Sequence, residues 1–423
     1  MAFISAPQTL TADVLIVGAG LAGATLALAL KSGGLEPILV DRAPLSDQWA
    51  ETFDGRASAI AFSAFRQWRT LGLAAVLEPH AQRIEQILVT DGRSPGPASS
   101  KTASPFALRF DSAEIADRLQ GEPLGYLLEN RRIRLALTQA VKAAGLTVLA
   151  PAALRDIAFE TGGVTATLAD GRMLKAALAV AADGKTSALR KTAGIGVVGW
   201  TYGQSGVVAT VALEQPHNGV AHEHFLPSGP FAILPLTENR ASLVWTESKT
   251  SAQALMAASP EAFGAYLDRR FGDYVGRVTP LDGRFLYPLA LDLAERMTAA
   301  RLALIGDAAH AVHPIAGQGL NLGLKDIAAL AQVLVDAVRL GEDIGSPAVL
   351  ERYARWRRFD NVMLAAATDG FTRLFSTDNP LVRLARGAGM GAVNAIGPAR
   401  RFFMQEAGGA VGDLPRLLRG QAL

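Results

Sequence analysis

Gly18-Ala-Gly20-Leu-Ala-Gly23 stands between a short apolar run, Asp13-Val-Leu-Ile-Val17, and a helix-like stretch from Leu21 to Lys31. Each glycine has its own use in such a place. The first makes a tight turn, the second lets backbone approach a pyrophosphate, and the third lets helix pack closely on strand. The helix start then stabilises phosphate charge with its unpaired amides. Asp41 follows eighteen residues after Gly23, at the end of the apolar run Pro37-Ile-Leu-Val40. A carboxylate there can accept hydrogen bonds from an adenosine ribose. Glycine spacing alone is a weak signal, but strand, helix, second strand and terminal acid together predict a dinucleotide site. Gly194-Ile-Gly196-Val-Val-Gly199 and Gly387-Ala-Gly389-Met-Gly391 carry similar glycines. The former follows helix-like residues and the latter lies inside a helical tail, so both fail that context test and no second dinucleotide fold is expected.

Two histidines, His222 and His224, lie two apart on an expected strand and so share one face, with Glu223 turned to the other. A metal would need a further ligand at suitable spacing, and neither a cysteine nor a third such residue supplies it, so no metal site is expected. The absence of cysteine also excludes a thiol redox pair, a Cys-ligated iron–sulfur cluster and a cysteinyl-linked flavin. It suits a reducing compartment. Phe225, Phe231 and Trp245 either line a pocket for an apolar ligand or form an ordinary sheet core.

The elements that must hold these groups follow from periodicity. After the opening strand–helix–strand unit, apolar spacing predicts a helix around Ser58 to Leu73. Ile84 to Val89 is strand-like, and Asp91 to Ser100, rich in Gly, Pro and Ser, reads as a surface loop. Arg131 to Ala144 is helical. Runs from Ala158 to Ala182 form a meander through Asp170-Gly171. Phe231–Leu236 and Ala241–Trp245 flank a four-residue hairpin loop, Thr237 to Arg240. Arg301–Ile305 is a buried strand with helix from about Leu320, and the remainder from Pro347 is helical. Strand–helix alternation at both ends of a β-rich middle implies an α/β fold in which a nucleotide-binding domain is interrupted by a second sheet domain. The expected division is 1–78, 112–185 and 286–346 for the first, 79–111 and 186–285 for the second, and 347–423 for a C-terminal helical region.

Half of the 423 residues are apolar, enough for a sizeable core, and the net charge of +2 gives no reason to expect nucleic acid. Charge is unevenly placed. Glu351 to the end holds eleven Arg, no Lys and six acidic residues, so it meets anionic lipid, an acidic partner or simply solvent. No signal peptide and no spanning helix of about 20 apolar residues is read.

Which dinucleotide binds is decided by a second segment. Leu304-Ile-Gly306-Asp307-Ala-Ala-His310-Ala-Val-His313-Pro314-Ile-Ala-Gly317-Gln-Gly319-Leu320-Asn321 closely resembles the Gly-Asp segment of class A flavoprotein monooxygenases. Ala182-Asp183-Gly184-Lys-Thr-Ser187-Ala-Leu-Arg190 is similar to the same family's Asp-Gly segment, associated with FAD and pyridine nucleotide. Asp54-Gly-Arg56-Ala-Ser-Ala-Ile-Ala, Leu124-Gly-Tyr126-Leu-Leu-Glu-Asn130-Arg, and Tyr202-Gly-Gln204 with Phe225-Leu-Pro-Ser-Gly-Pro230 resemble the ubiquinone-biosynthesis hydroxylases. The likeness runs from about Val14 to Phe403.

The resemblance implies a Rossmann-like FAD-binding domain and hydroxylation of a polyprenylated phenol with NAD(P)H and O2. FAD would be held non-covalently and NAD(P)H would be a transient reductant. It implies that Gly18, Gly20, Gly23, Asp41, Arg42 and Arg56 meet the adenosine and phosphates, with Asn130 near the flavin and Asp183 shared with the reductant. Gly306 and Asp307 would meet the ribityl chain. Pro314, Gly317, Gly319, Leu320 and Asn321 would line the isoalloxazine, where helix-start amides face charge that builds on reduction. His310 and His313 either pack the loop or approach the flavin. No catalytic base is assigned; the cofactor carries the hard chemistry. A cytoplasmic enzyme is implied, its C-terminal region the candidate contact with the inner membrane or a quinone-biosynthesis complex. A flavin-dependent reductase, a halogenase and a non-catalytic flavoprotein scaffold are the competing readings, and the halogenase's Trp-x-Trp-x-Ile-Pro segment is missing.

Overall fold

A computed structural model describes residues 9–48, 53–91, 107–271, 275–312, 318–375, 379–409 and 411–423. The fold is mixed α/β, built among the described residues on three sheets. The first runs in the order Thr298–Ala299, Leu302–Leu304, Met173–Ala181, Thr9–Val17, Pro37–Val40, Thr147–Leu149, with Leu154–Glu160 and Gly163–Leu168 attached to the Met173 strand. From Leu302–Leu304 through Thr147–Leu149 its neighbours are parallel. Parallel strands are covered on both faces and so read as continuous apolar runs. Val14 and Ile16 face one core and Leu15 the other, as the alternation of a strand requires.

The Leu21–Ser32 helix, apolar on all sides, is buried from Gly23 to Leu30. It packs against the Gln318–Arg339 and Asn130–Ala143 helices. Sequence distant by three hundred residues thus covers one face of the first sheet. Trp68, fully buried in the same core, donates its indole N–H to Thr25 Oγ1 at 3.2 Å.

The second sheet has eight strands in the order His310–Ala311, Val278–Ala294, Val197–Leu213, Arg240–Ser248, Gly229–Leu236, Val220–Leu226, Gln86–Asp91, Leu108–Asp111. One face carries Val207, Phe231, Leu243 and Trp245 against Phe263 and Leu267 of the Pro260–Phe271 helix. The third sheet joins Ala57–Ala61, Gly125–Glu129 and Gln82–Ile84. Towards the C-terminus the described residues form the α-helices Pro347–Phe375, Pro380–Ala395 and Gly397–Ala407, followed by a short 3-10 turn at Arg416–Arg419.

Several local expectations change. The helix expected from Ser58 begins only at Phe62; Ala57–Ala61 is a strand paired with Gly125–Glu129. Alanine and serine have no strong preference there, and cross-strand pairing decides. The Ile84–Val89 run breaks at Glu85, where the chain leaves the small sheet for the large one. The amides of both Glu85 and Gln86 bond to Gly219 O at that crossing. The hairpin loop is three residues, Thr237 to Asn239, because positive φ at Glu238 and Asn239 closes it before Arg240. The expected loop of Asp91 to Ser100 lies, beyond Asp91, outside the described residues.

Candidate functional site

Three segments separated widely in sequence meet at Gly18. Its amide donates to Val40 O at 2.8 Å, and the amide of Ala182 donates to Val17 O at 2.8 Å. A Cβ on Gly18 would overlap the carbonyl oxygen of Ala182 and lie 2.9 Å from the amide nitrogen of Asp183, so the Asp-Gly segment passes directly against the glycine turn. Arg190 closes the third side. It is buried, and its guanidinium donates to Ala308 O at 2.7 Å and Lys185 O at 2.9 Å. The Gly-Asp segment sits beside the helix start, where the Cβ of Ala22 lies 3.4 Å from an ideal Cβ on Gly306.

At that helix start the N-cap is Gly20, and no side chain caps it. A helix start without a side-chain cap keeps amides available for an anion. Gly23 is needed for closeness, since a Cβ there would overlap Gly18 O. Asp41 is buried; one carboxylate oxygen accepts from Ala19 N and the other from Ala43 N, both at 2.8 Å. It therefore shapes the turn itself, at the end of the second strand, where a ribose hydroxyl would approach. Arg42 beyond it is exposed. Asp307 is also exposed. Crowding by its neighbours pushes its pKa up, while His310, Lys185 and Arg56 pull the other way. Open access limits the upward push, since solvent screens it. Bare helix-start amides, a glycine cradle that any side chain would fill and a reachable carboxylate fit a dinucleotide's phosphates and sugars.

The Gly-Asp turn is locked from behind by residues that the sequence reading missed. Asp326 on the Gln318–Arg339 helix is fully buried and accepts from Gly306 N at 3.1 Å, His310 Nε2 at 2.5 Å and Arg357 Nε at 2.9 Å. Burial alone would raise its pKa; His310 and Arg357 outweigh that and hold it below the usual carboxylate range. Arg357 also bonds Asp360 at 2.6 Å and Asn361 at 3.0 Å. His310 is therefore a packing and loop-holding residue; His313 lies outside the described residues. A signal was present in the sequence: Leu350, Tyr353, Arg357 and Asn361 recur at helical spacing, polar groups continuing a buried stripe.

Asn321 is buried, and its amide clamps the Ala57–Ala61 strand, donating to Ala59 O at 2.8 Å and accepting from Ala61 N at 2.9 Å. Asn130 is buried as well; its side-chain Oδ1 accepts from Ser58 Oγ at 2.7 Å, and its backbone N–H donates to Arg56 O at 2.9 Å. Both asparagines thus position the Asp54–Ala61 stretch. Arg56 pairs with Asp54 at 2.6 Å and keeps half its side chain exposed. Asp183 spends one oxygen on the amides of Ala188 and Leu189, at 2.8 and 3.2 Å; its other oxygen is buried with no partner among the described residues. Gly319 and Leu320 are half-buried at the helix start, whereas Pro314 and Gly317 lie outside the described residues.

On the second sheet His222 and His224 share a face, as alternation predicts, their rings 5.8 Å apart. Burial lowers both to about 4, so each is neutral near pH 7. His224 Nδ1 lies 2.5 Å from Thr90 Oγ1. No cluster of three metal-ligating side chains occurs among the described residues. Phe231 and Trp245 belong to the sheet core, their rings 5.5 Å apart, edge to face. Phe225 is on the opposite face and packs on Phe375 at 4.0 Å. In the C-terminal region Arg400 does not stand with the neighbouring aromatics as the sequence suggested. Its guanidinium turns back to Glu114 at 2.7 Å and to Asn394 O, because two acceptors on its own fold outcompete solvent. Arg401, Phe402 and Phe403 remain exposed.

The chain matches the family model described as FAD binding domain over residues 11–362. It is 47% identical over 416 residues to "Ubiquinone hydroxylase UbiL" of Rhodospirillum rubrum, covering 97% of this chain and 94% of that protein. It is 34% identical over 397 residues to "3-demethoxyubiquinol 3-hydroxylase" of Escherichia coli, covering 93% and 98%. Among solved structures, p-nitrophenol 4-monooxygenase PnpA from Pseudomonas putida superposes with a TM-score of 0.74 at 19% identity, covering 94% of this chain and 98% of that one, and shares the fold.

Proposed function

We propose, from the premise that this chain belongs to the FAD-binding hydroxylase family of ubiquinone biosynthesis, that it hydroxylates the ring of a polyprenylated phenol with O2 and NAD(P)H. The observation that carries the reading is the convergence of the glycine turn, the Asp-Gly segment and the Gly-Asp segment around Gly18. FAD, when bound and reduced, supplies the oxygen activation that no side chain can.

The residues then have these tasks. Amides at the start of the Leu21–Ser32 helix bind the pyrophosphate, Asp41 accepts from the adenosine ribose and Asp307 from the ribityl hydroxyls. Asp326 and Arg357 hold Asp307 in place from behind. Asn321 and Asn130 fix the Asp54–Ala61 wall, and Asp183, with one uncommitted oxygen, faces the reductant. Tyr287 donates to Asp54 O at 3.1 Å and ties the second sheet to that wall, which helps keep water out.

The deciding test is turnover of the purified flavoprotein with a short-chain prenylated phenol under isotopically labelled dioxygen. One labelled oxygen atom in the ring product is expected. Pyridine nucleotide oxidation yielding a saturated tail would make it a reductase, a halogenated ring a halogenase, and no phenol-stimulated oxidation a scaffold.

A second reading concerns location. Among the described residues no helix is long and apolar enough to cross a membrane. Yet Leu381, Ile396, Phe402 and Phe403 are exposed by 77%, 55%, 52% and 39%, on the two helices that follow Asn379 and at the joint between them. Aromatics at a surface beside Arg401 suit a lipid interface, where an apolar substrate resides. Vesicles containing anionic lipid should carry the protein upward in flotation, and Phe402→Ser with Phe403→Ser should leave it at the bottom. Equal flotation of both proteins, or of neither, would end this reading.

A further inference from the structure

Glu223 is 7% exposed on the Val220–Leu226 strand, and no hydrogen bond or ion pair reaches it among the described residues. Register fixes its surroundings. It stands opposite Val89 on one side and Ala232 on the other; Ala232 pairs with Val244, Val244 with Val208, and Val208 with Phe285. Directly paired residues share a face, so these six side chains form one row across six neighbouring strands. At its far end Phe285 meets Phe53 edge to face at 6.2 Å, and a Cβ on Gly55 would overlap its ring. That end abuts the Asp54–Arg56 stretch of the cofactor wall. At the near end Phe225, two residues along from Glu223, packs on Phe375 and Met390 of the C-terminal helices. From Glu223 to Phe285 is four strand spacings, about 19 Å, a length comparable to an aromatic ring with part of an isoprenoid tail.

A lone carboxyl in such an apolar row has no structural work to do, and burying it unpaired is unfavourable. Resting on the phenol hydroxylase reading, we infer that Glu223 is the residue that takes the proton from the substrate's phenolic hydroxyl. The O–H bond of the phenol breaks and a new O–H forms on the Glu223 carboxylate. The phenolate ring, more electron-rich, receives one oxygen atom of dioxygen at a ring carbon; the O–O bond breaks, reduced pyridine nucleotide supplies the two electrons, and the second oxygen atom leaves as water. When the ring regains aromaticity its C–H proton leaves to solvent, the proton on Glu223 returns to the phenolic oxygen, and the carboxylate is restored.

The surrounding charges leave this exchange to Glu223. His222 and His224 point to the opposite face of the same strand. Arg386 lies over the Phe375 ring at 4.8 Å and donates to Leu374 O. Tyr287 is committed to Asp54 O, and Asp369 accepts from Trp200 and Tyr202. Asp91 pairs with Phe225 one row away. Desolvation alone pushes Glu223 up to about 8, closer to the phenol it would deprotonate than an exposed glutamate is. A base poised near working pH is the most effective one.

The test compares wild type, Glu223→Gln and Glu223→Asp as flavin-loaded enzymes. In single-turnover hydroxylation the wild-type rate should rise with pH and level above about 8. The Gln variant should be flat and roughly 100-fold slower or more, with flavin reduction unchanged, and the Asp variant should recover part of the rate. A readout independent of turnover is binding of an inert phenol, followed by the flavin spectrum. Its Kd should fall about tenfold as pH passes upward through that range in wild type, through a charge-assisted hydrogen bond. It should not move in the Gln variant, and the phenol's methyl ether should show no pH dependence in either. Identical pH profiles in wild type and Gln variant overturn the role of Glu223. Wild type that hydroxylates no phenol overturns the function reading itself.

Discussion

Replacing Asp326 with alanine should cost this protein about 3–5 kcal/mol of stability, the usual effect of breaking a buried ion pair from one side. The reason is what stays behind. Arg357 is 3% exposed and would keep its charge with only Asp360, itself partly in solvent, and the neutral Asn361 as partners. His310 and the Gly306 amide would lose their acceptor in the same step. The pair's pH dependence has a definite sign. Asp326 titrates below its ordinary value in the folded protein, so its contribution is fully present above the unfolded carboxylate pKa of about 3.9. It is lost as pH falls from there through the lower folded value. Denaturant unfolding of wild type and Asp326→Ala near pH 7 measures the difference. A loss under about 1 kcal/mol, the size of an exposed ion pair, would mean that the triad is not holding the Gly-Asp turn. The variant should also release FAD more readily, because the turn carrying Asp307 is no longer pinned.

Gly18→Ala should abolish stable FAD binding. Gly18 has φ +109, a conformation that side chains rarely adopt, and its surroundings are backbone. The added methyl would meet Ala182 O and Asp183 N, both inside parallel sheet connections that cannot yield separately. Strain at positive φ alone is on the order of 1–3 kcal/mol, and the overlap adds to it. Gly34→Ala is the control: its φ is +90, yet nothing lies within 4 Å of the added atom. That variant should lose only about 1–2 kcal/mol and purify with its flavin. The flavin-to-protein absorbance ratio after gel filtration decides the matter. A Gly18→Ala protein with full flavin content would show that the three segments do not close around the cofactor as tightly as the backbone distances indicate.

Much of this was legible from local pattern. The glycine turn, the acid ending the second strand and the Gly-Asp and Asp-Gly segments are defined by residue type at fixed spacing. Their chemistry needs specific backbone freedom and specific charge at neighbouring positions. Family, cofactor and the mixed α/β architecture followed from them, and the two glycine-spaced decoys were rejected by the elements around them. Strand alternation separated Glu223 from His222 and His224. It did not say which face meets the helical core, because that depends on which sheet partner and which helices arrive from elsewhere in the chain.

Tertiary structure alone decided the rest. Ala57–Ala61 became a strand because Gly125–Glu129 lay beside it and Asn321 clamped it, two partners far away in sequence. Asp326 and Arg357 sit on amphipathic helices, where a charged residue ordinarily marks the solvent side; only the packing of those two helices on the Gly-Asp turn reverses that. Arg400 offered a cation to a surface patch, and Glu114, on a segment nearly three hundred residues earlier, took it instead. Local sequence specifies what a group can do and which way it alternates. Burial, pairing and the loss of solvent around a charge are properties of long-range contacts, and they exist only once the chain has closed.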